Sequence, residues 1–339
     1  MRAAPWVCAA LAGALLAGTA SPVRAQVYES VGTRAQGLGG AFVAVADDAT
    51  ATWWNPAGLA TGAFFSVIVE QVRLEAPGNP DADEAAWRSR SRGFAAAFPA
   101  LGLSHYRLRV SEIGLAQPIA GDPLDRQDGG TAGDPIVRSL AANQFGVTVG
   151  QSLGDHLVMA STFKLVRGGV TSSDAGGADR LGHAEGLDVL LHTRADLDLG
   201  VMASVGNARV GLSIRHLREP EFRSGVDRLT LSRQARMGVA ALGDWGNLAM
   251  TAAFDADLTR TATATGDVRR VAAGVEAWLL GRRLGVRGGI GANAVGAGGS
   301  SASGGLSVSL QRGLYLEGAV TAGSDQALNG WAIGLGMAY

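Results

Sequence analysis

From Phe64 to its last residue the chain alternates large apolar side chains with polar or very small ones at period two, and glycine-centred punctuation recurs roughly every 10 to 20 residues. In the final stretch Trp331, Ile333, Leu335, Met337 and Tyr339 share one face, while Ala332, Gly334, Gly336 and Ala338 share the other. The same division sets Leu314, Leu316 and Val320 against Tyr315, Glu317 and Thr321, and Val210, Leu212 and Ile214 against Gly211, Ser213 and Arg215. It recurs with Leu248, Met250 and Phe254 against Thr251, Asp255 and Asp257. A helical period of 3.6 is not found in this region.

The alternation predicts fourteen strands, at 64–75, 90–98, 102–117, 138–152, 156–172, 186–204, 208–217, 228–242, 247–260, 268–280, 284–296, 302–310, 314–323 and 329–339. Long connections (Ala76 to Ser89, Pro118 to Val137, Ser173 to Glu185, Arg218 to Asp227) alternate with short ones, such as Pro99 to Leu101, Leu153-Gly154-Asp155, Gly281-Arg282-Arg283 and Gln311-Arg312-Gly313. In a soluble sandwich the apolar face turns inward; in an outer-membrane barrel it turns to lipid, and short turns at one rim alternate with long loops at the other. An even strand number with this rhythm predicts an all-β fold, a transmembrane antiparallel β-barrel.

Composition agrees by exclusion. No apolar run beyond the N-terminus reaches the roughly 18 residues of a membrane helix, 50 glycines in 339 residues follow no triplet period, and 47% hydrophobic residues argue against disorder. A net charge of −1 gives no footprint for nucleic acid. Residues 1–25 have the form of a secretory signal, with Arg2, an apolar run from Trp6 to Leu16, and small residues at Val23-Arg24-Ala25, so cleavage after Ala25 is expected. Removing Arg2 and Arg24 takes the charge from −1 to −3, and Cys8 leaves with the signal.

Residues 30–61 do not alternate. They carry Gly37, Gly39 and Gly40, then Phe42, then an alanine-rich stretch ending in Asp47 and Asp48, then Trp53-Trp54-Asn55-Pro56-Ala57-Gly58-Leu59. This segment, with a glycine-rich stretch, an Ala-Asp-Asp-Ala run and Asn-Pro-Ala ahead of the first strand, resembles the N-terminal hatch of FadL/TodX-type outer-membrane transporters. The PorV/PorQ branch of that superfamily has a similar Trp-Asn-Pro-Ala-Gly-Leu. The resemblance implies a fourteen-stranded barrel (63–339) plugged by residues 26–62, with hydrophobic ligands passing through and leaving sideways. Physically, the glycines permit close approach to the wall, Asn55-Pro56 makes a rigid turn, and Asp47 or Asp48 would cap a short helix through Ala49 to Trp54. Trp53 and Trp54 are either apolar ligand contacts or wedges against the wall. Gly37-Leu38-Gly39-Gly40 also suggests a dinucleotide loop, but no strand precedes it and no βαβ unit follows.

Phase assigns Arg107, Arg109, Lys164, Asp196, Asp198, Arg215, Asp255, Asp257, Glu276, Arg287 and Glu317 to the lumen, as a network of both signs that holds the plug. In the third strand the apolar set Tyr106, Leu108, Val110 is assigned outward and slips to Ile113 and Leu115, which predicts a bulge near Ser111-Glu112 and a candidate lateral opening. Tyr339 resembles the C-terminal aromatic by which such barrels address their assembly machinery.

Of His105, His156, His183, His192 and His216, only His183 lies in a long loop near acids, Asp179 and Glu185. That is a solvated loop histidine rather than a catalytic one, and no spacing resembles a metal site. No enzyme activity, catalytic residue, metal or cofactor is expected. The expected role is passive uptake of small hydrophobic molecules across the cell outer membrane, with a PorV-like scaffold for protein secretion as the alternative. Expected partners are outer-membrane lipid, the assembly machinery and a hydrophobic small molecule, with no nucleic acid, for a monomer.

Overall fold

The structure, a computed structural model, describes residues 31–76, 86–115, 135–174, 180–224, 227–263, 266–295, 299–324 and 329–339. The expected signal sequence, residues 26–30 of the expected plug and most of the two longest early connections lie outside the described residues. In chain order, α1 (Thr33–Gly37), α2 (Ala51–Trp54) and a 3-10 turn (Pro56–Thr61) precede β1 (Ser66–Ala76), β2 (Ala86–Phe98), β3 (Leu101–Leu115), β4 (Pro135–Leu153) and β5 (Leu157–Asp174). A short helix, α3 (Arg180–Gly186), leads to β6 (His192–Val205), β7 (Ala208–Arg215), and a hairpin of β8 (Glu221–Ser224) and β9 (Asp227–Thr230). Then come β10 (Gln234–Trp245), β11 (Leu248–Asp257), a hairpin of β12 (Thr261–Thr263) and β13 (Gly266–Val268), β14 (Arg270–Leu279) and β15 (Leu284–Asn293). The chain closes with β16 (Ser300–Gln311), β17 (Leu314–Gly323) and β18 (Asn329–Ala338).

Fourteen of these strands form a closed antiparallel barrel in which β18 returns to pair with β1, Leu335 opposite Val69, while the β8–β9 and β12–β13 hairpins stand apart from it. Closure pairs the backbone of every wall strand with two neighbours and leaves no edge, which is how a sheet survives in hydrocarbon. The outward face is apolar and exposed: Val69, Phe94, Phe145, Phe163, Val239, Phe254, Leu306 and Leu335 all point away from the lumen. That band faces lipid.

The wall is not level. Strands β14, β15, β17 and β18 have 10 residues each, about 33 Å along the strand and, at the usual tilt, about the 25 Å of an apolar band. Strands β4 and β5 have 19 and 18 residues, nearly twice that, so one flank rises well beyond the other. Short turns such as Gly154, Gly206, Gly246, Gly281 and Gly313 gather at one rim, all with positive φ, and the chain end is tied there by Phe65 N donating to the Tyr339 carbonyl.

Several sequence expectations need correction. The strand expected at 186–204 begins at His192, because residues 180–186 form α3 and the segment after it lies outside the wall. The strand expected at 228–242 merges two elements: Asp227–Thr230 belongs to the β8–β9 hairpin and the wall resumes at Gln234. No bulge occurs at Ser111-Glu112, since β3 keeps continuous register with β2 and with β4 through that point. Its phase is also the reverse of that expected: Tyr106, Leu108 and Val110 are buried inside, and Arg107 and Arg109 project from the outer face. The rule that the apolar face meets lipid fails where the lumen itself is packed with hydrocarbon.

Candidate functional site

Residues 31–62 lie inside the barrel and meet its wall by backbone packing at glycines and through buried polar side chains. The turn Leu38–Gly40 presses onto β14 and β15. A Cβ at Gly39 would lie 2.7 Å from the Ile290 carbonyl oxygen, and one at Gly289 on the wall would lie 2.2 Å from the Leu38 carbonyl carbon. Glycine faces backbone on both sides of that contact.

Buried charges fix the rest. The Arg34 guanidinium donates to both carboxylate oxygens of Glu276, at 2.8 and 2.5 Å, and also donates to Asp47, with Asp48 at 3.4 Å. Arg287 reaches Glu276 from the other side at 3.3 Å and Glu317 at 3.5 Å. Burial pushes the Asp48 carboxyl above the ordinary carboxylate range, and neighbouring Arg34 only partly offsets this. On β1, Glu70 accepts from the Gly32 and Thr33 amides at 2.7 and 2.8 Å. On β11, Asp255 accepts from the Phe42 and Val43 amides, both at 2.8 Å. Arg236 lies 3.1 Å from Asp257.

The Asn55-Pro56 corner follows its sequence chemistry. The Asn55 side-chain oxygen accepts from the Ala57 amide at 3.2 Å and so caps the 3-10 turn, while its amide donates to the carbonyls of Val43 at 3.0 Å and Val201 at 3.1 Å. Asp48 makes the capping bond of the turn that leads into α2, two residues ahead of the bonded amide, although α2 itself starts only at Ala51. Thr50, which precedes Ala51, makes no side-chain capping bond, while its amide donates to Asp48 at 2.8 Å.

Both tryptophans are wedged. Trp53 is 4% exposed, packs edge-on to Tyr106 at 5.2 Å, and carries the Arg215 guanidinium 3.9 Å over its ring. Trp54 donates to the Val31 carbonyl at 2.8 Å and packs edge-on to Phe42.

Beside Arg215 lies a second buried cluster. Lys164 Nζ sits 3.0 Å from Asp196 and 2.7 Å from Asp198, and His216 Nδ1 is 2.7 Å from Asp196. Asp196, Asp198 and His216 converge closely enough to offer three metal-ligand atoms, but the ammonium of Lys164 already lies among them, in contact with both carboxylates.

Of the charges assigned to the lumen, Lys164, Asp196, Asp198, Arg215, Asp255, Asp257, Glu276, Arg287 and Glu317 are inside, and Arg107 and Arg109 are outside. Sequence reasoning missed Arg34, Glu70, Arg236 and Tyr106 as anchors. Glu70 and Arg236 sit at inward phase on β1 and β10, an available signal; Arg34 lies just ahead of the glycine-rich stretch with nothing to distinguish it.

Above the plug the lumen carries an apolar cluster, and beyond it a polar one in which Arg138 lies 4.0 Å from Glu112 and 3.5 Å from Asp227. Val110, Leu140, Ala142, Val166 and Val170 of the tall flank pack against Phe222, Leu229 and Leu231 of the inward-folded β8–β9 region. A cavity of about 430 Å³ at the short-turn end is lined by Arg34, Asp47, Asp48, Trp278, Tyr315 and Glu317, among others. A charged groove of about 670 Å³ runs along the opposite rim beside His192, Arg218 and Glu219.

Solved structures with this arrangement exist. The fold is shared with hydrocarbon channels. The CymD monoaromatic hydrocarbon channel matches with a TM-score of 0.61 at 12% identity, over 91% of this chain and 97% of that one. The Pseudomonas putida toluene transporter TodX gives 0.57 at 10%, over 92% and 99%. A Pseudomonas aeruginosa FadL homologue gives 0.57 at 11%, over 95% and 99%. Comparison with protein-family models and with curated proteins gives no match. At these identities the likeness establishes architecture. The PorV/PorQ branch gains no specific support.

Proposed function

We propose that the protein is an outer-membrane channel for passive uptake of small hydrophobic molecules. The observation that carries this reading is the contrast along the lumen axis. Toward the short-turn end the interior holds a plug fixed to the wall through buried ion pairs and carboxylate–amide bonds, unlike the open lumen of a porin. Above it, the wall of β3, β4 and β5 offers aliphatic side chains, covered by Phe222, Leu229 and Leu231. A molecule that gains free energy by leaving water can partition there, at about 25 cal/mol per Å² of apolar surface buried, whereas a sugar or ion gains nothing. The hydrocarbon and toluene channels that share the fold are the second support. No chemistry is required of the protein, because passage is downhill and needs neither cofactor nor covalent intermediate.

The test uses the refolded full-length chain in liposomes. Entry of a fluorescent long-chain fatty acid and of a monoaromatic hydrocarbon is measured beside osmotic swelling in a small sugar. Faster entry of at least one hydrophobic probe than in empty liposomes, without sugar swelling, is the expected result. Sugar swelling at the rate of an open porin, or no acceleration of either probe, would overturn it.

A further inference from the structure

The outer face of the tall flank carries arginines where lipid-facing strands are otherwise apolar. Arg92 of β2 pairs in register with Arg107 of β3, Arg107 with Asn143 of β4, and Asn143 with Arg167 of β5. All three arginines are exposed. Among the described residues none has a carboxylate within ion-pair distance. Like charges directly opposite on neighbouring strands repel, so the row is left needing anions from outside the protein.

Its height is informative. One outward step toward the short-turn rim stand Phe94, His105, Phe145 and Leu165, and below them Leu103 and Phe163, the exposed band that meets acyl chains. An outward arginine is costly at the bilayer midplane and nearly free at the interface, so the row marks the headgroup level of the leaflet on the long-loop side. One and two steps higher the arginines are already engaged. Arg88 and Arg90 bind Glu185 of α3 at 3.3 and 3.2 Å, and Arg109 donates to the Leu187 carbonyl. Through these contacts α3 and the segment after it lie against the outside of the wall. Leu190, 68% exposed, sits over Gly169.

We propose that Arg92, Arg107 and Arg167, roofed by the α3 segment, bind the headgroup of a bisphosphorylated, multiply acylated glycolipid, the chemistry of lipid A. Guanidinium forks match phosphate oxygens two at a time, where a lysine would supply only a point charge. The row spans three inter-strand spacings, about 14 Å, a width suited to two phosphates on linked sugars rather than to one phosphodiester. The acyl chains then run down over Phe94, Phe145 and Leu165, and the exposed Leu190 touches the same lipid from above. This site is independent of what the lumen carries.

The experiment presents full-length folded protein in detergent micelles with lipid A, dephosphorylated lipid A or phosphatidylglycerol, and reads retained lipid by native mass spectrometry. The proteins are the unsubstituted chain, the triple variant Arg92→Gln/Arg107→Gln/Arg167→Gln, the single variant Arg107→Gln and a control, Arg312→Gln, at the opposite rim. Folding of each is checked by heat-modifiable gel mobility, and the single variant carries the test should the triple variant not fold. Lipid A is expected to bind the unsubstituted chain and the control equally, and the triple variant at least about tenfold more weakly, with Arg107→Gln between. Equal retention by the variants, or equal retention of dephosphorylated lipid, would refute the site. Equal binding of phosphatidylglycerol would refute the two-phosphate headgroup.

Discussion

Strands β14 to β18 and strands β2 to β5 place arginine on opposite sides of the same wall. On the low flank Arg287 points inward, joins Arg34 on Glu276 and helps fix the plug, while Val286, Ile290, Leu306 and Val320 face lipid. On the tall flank Arg92, Arg107 and Arg167 point outward, and Tyr106, Leu108, Val110 and Val166 fill the interior. The difference follows from height. A strand of 10 residues is used up in crossing the hydrocarbon, so its outer face has no room for charge. A strand of 19 residues continues past the leaflet, where outward charge is free to meet headgroups and part of the interior beyond the plug is closed by the apolar cluster of β3 to β5 with Phe222, Leu229 and Leu231.

The largest expected effect breaks the low flank. Glu276→Ala leaves the buried Arg34 and Arg287 without their shared carboxylate, a change that costs about 3–5 kcal/mol for a buried pair. The temperature at which the folded gel band disappears is expected to fall clearly below that of the unsubstituted protein. Arg92→Gln, an exposed position on the tall flank, is expected to stay within about 0.5 kcal/mol in detergent. If both variants melted together, the distinction between anchoring and solvated arginines would be lost.

A second substitution sharpens the point by steric means. Gly289→Ala drives a Cβ to 2.2 Å from the Leu38 carbonyl carbon, backbone that has no rotamer with which to escape, at a cost of about 1–3 kcal/mol. The plug is expected to lift at that corner, and limited trypsin digestion to cut at Arg34 faster. Asn55→Ala comes next: it removes a cap and two buried donors, about 1–2 kcal/mol, read by the same digestion. An unchanged cleavage rate in either variant would mean that the plug is held by its charges alone.

Legibility in the sequence divides along the same line. From β10 to β18 outward residues are large and inward ones small or charged, so phase, strand number and the inward placement of Asp255, Glu276, Arg287 and Glu317 could all be read directly. On β3 the interior is a packed core, so both faces carry a reason to be apolar, and Arg107 and Arg109 were assigned to the wrong side. The run Leu187-Asp188-Val189-Leu190-Leu191 alternates like a strand although it lies against the outside of the wall. Asp227–Thr230 alternates because it is a strand, but of a separate hairpin. Period two reports local pairing and cannot say which sheet a segment joins. The plug was legible as a segment through its glycines and Asn55-Pro56, but its wall partners are more than 200 residues distant in some cases, such as Arg34 with Glu276 at 242, and no local pattern encodes them.

The smallest effect tests whether the tall flank's interior is packing alone. The Tyr106 ring lies over Gly93 and against Trp53, fully inside, yet its hydroxyl has no hydrogen-bond partner among the described residues. A buried, unpaired hydroxyl gives up its hydration without return, so Tyr106→Phe keeps the aromatic contact and removes only the cost. The variant is expected to be neutral or up to about 1 kcal/mol more stable, opposite in sign to Glu276→Ala, by the same gel-band transition. A loss of about 1 kcal/mol or more would show that the hydroxyl is satisfied by water or by a group outside the described residues. The seam between Trp53 of the plug and the wall would then contain a polar position, and its packing would have to be redrawn around it.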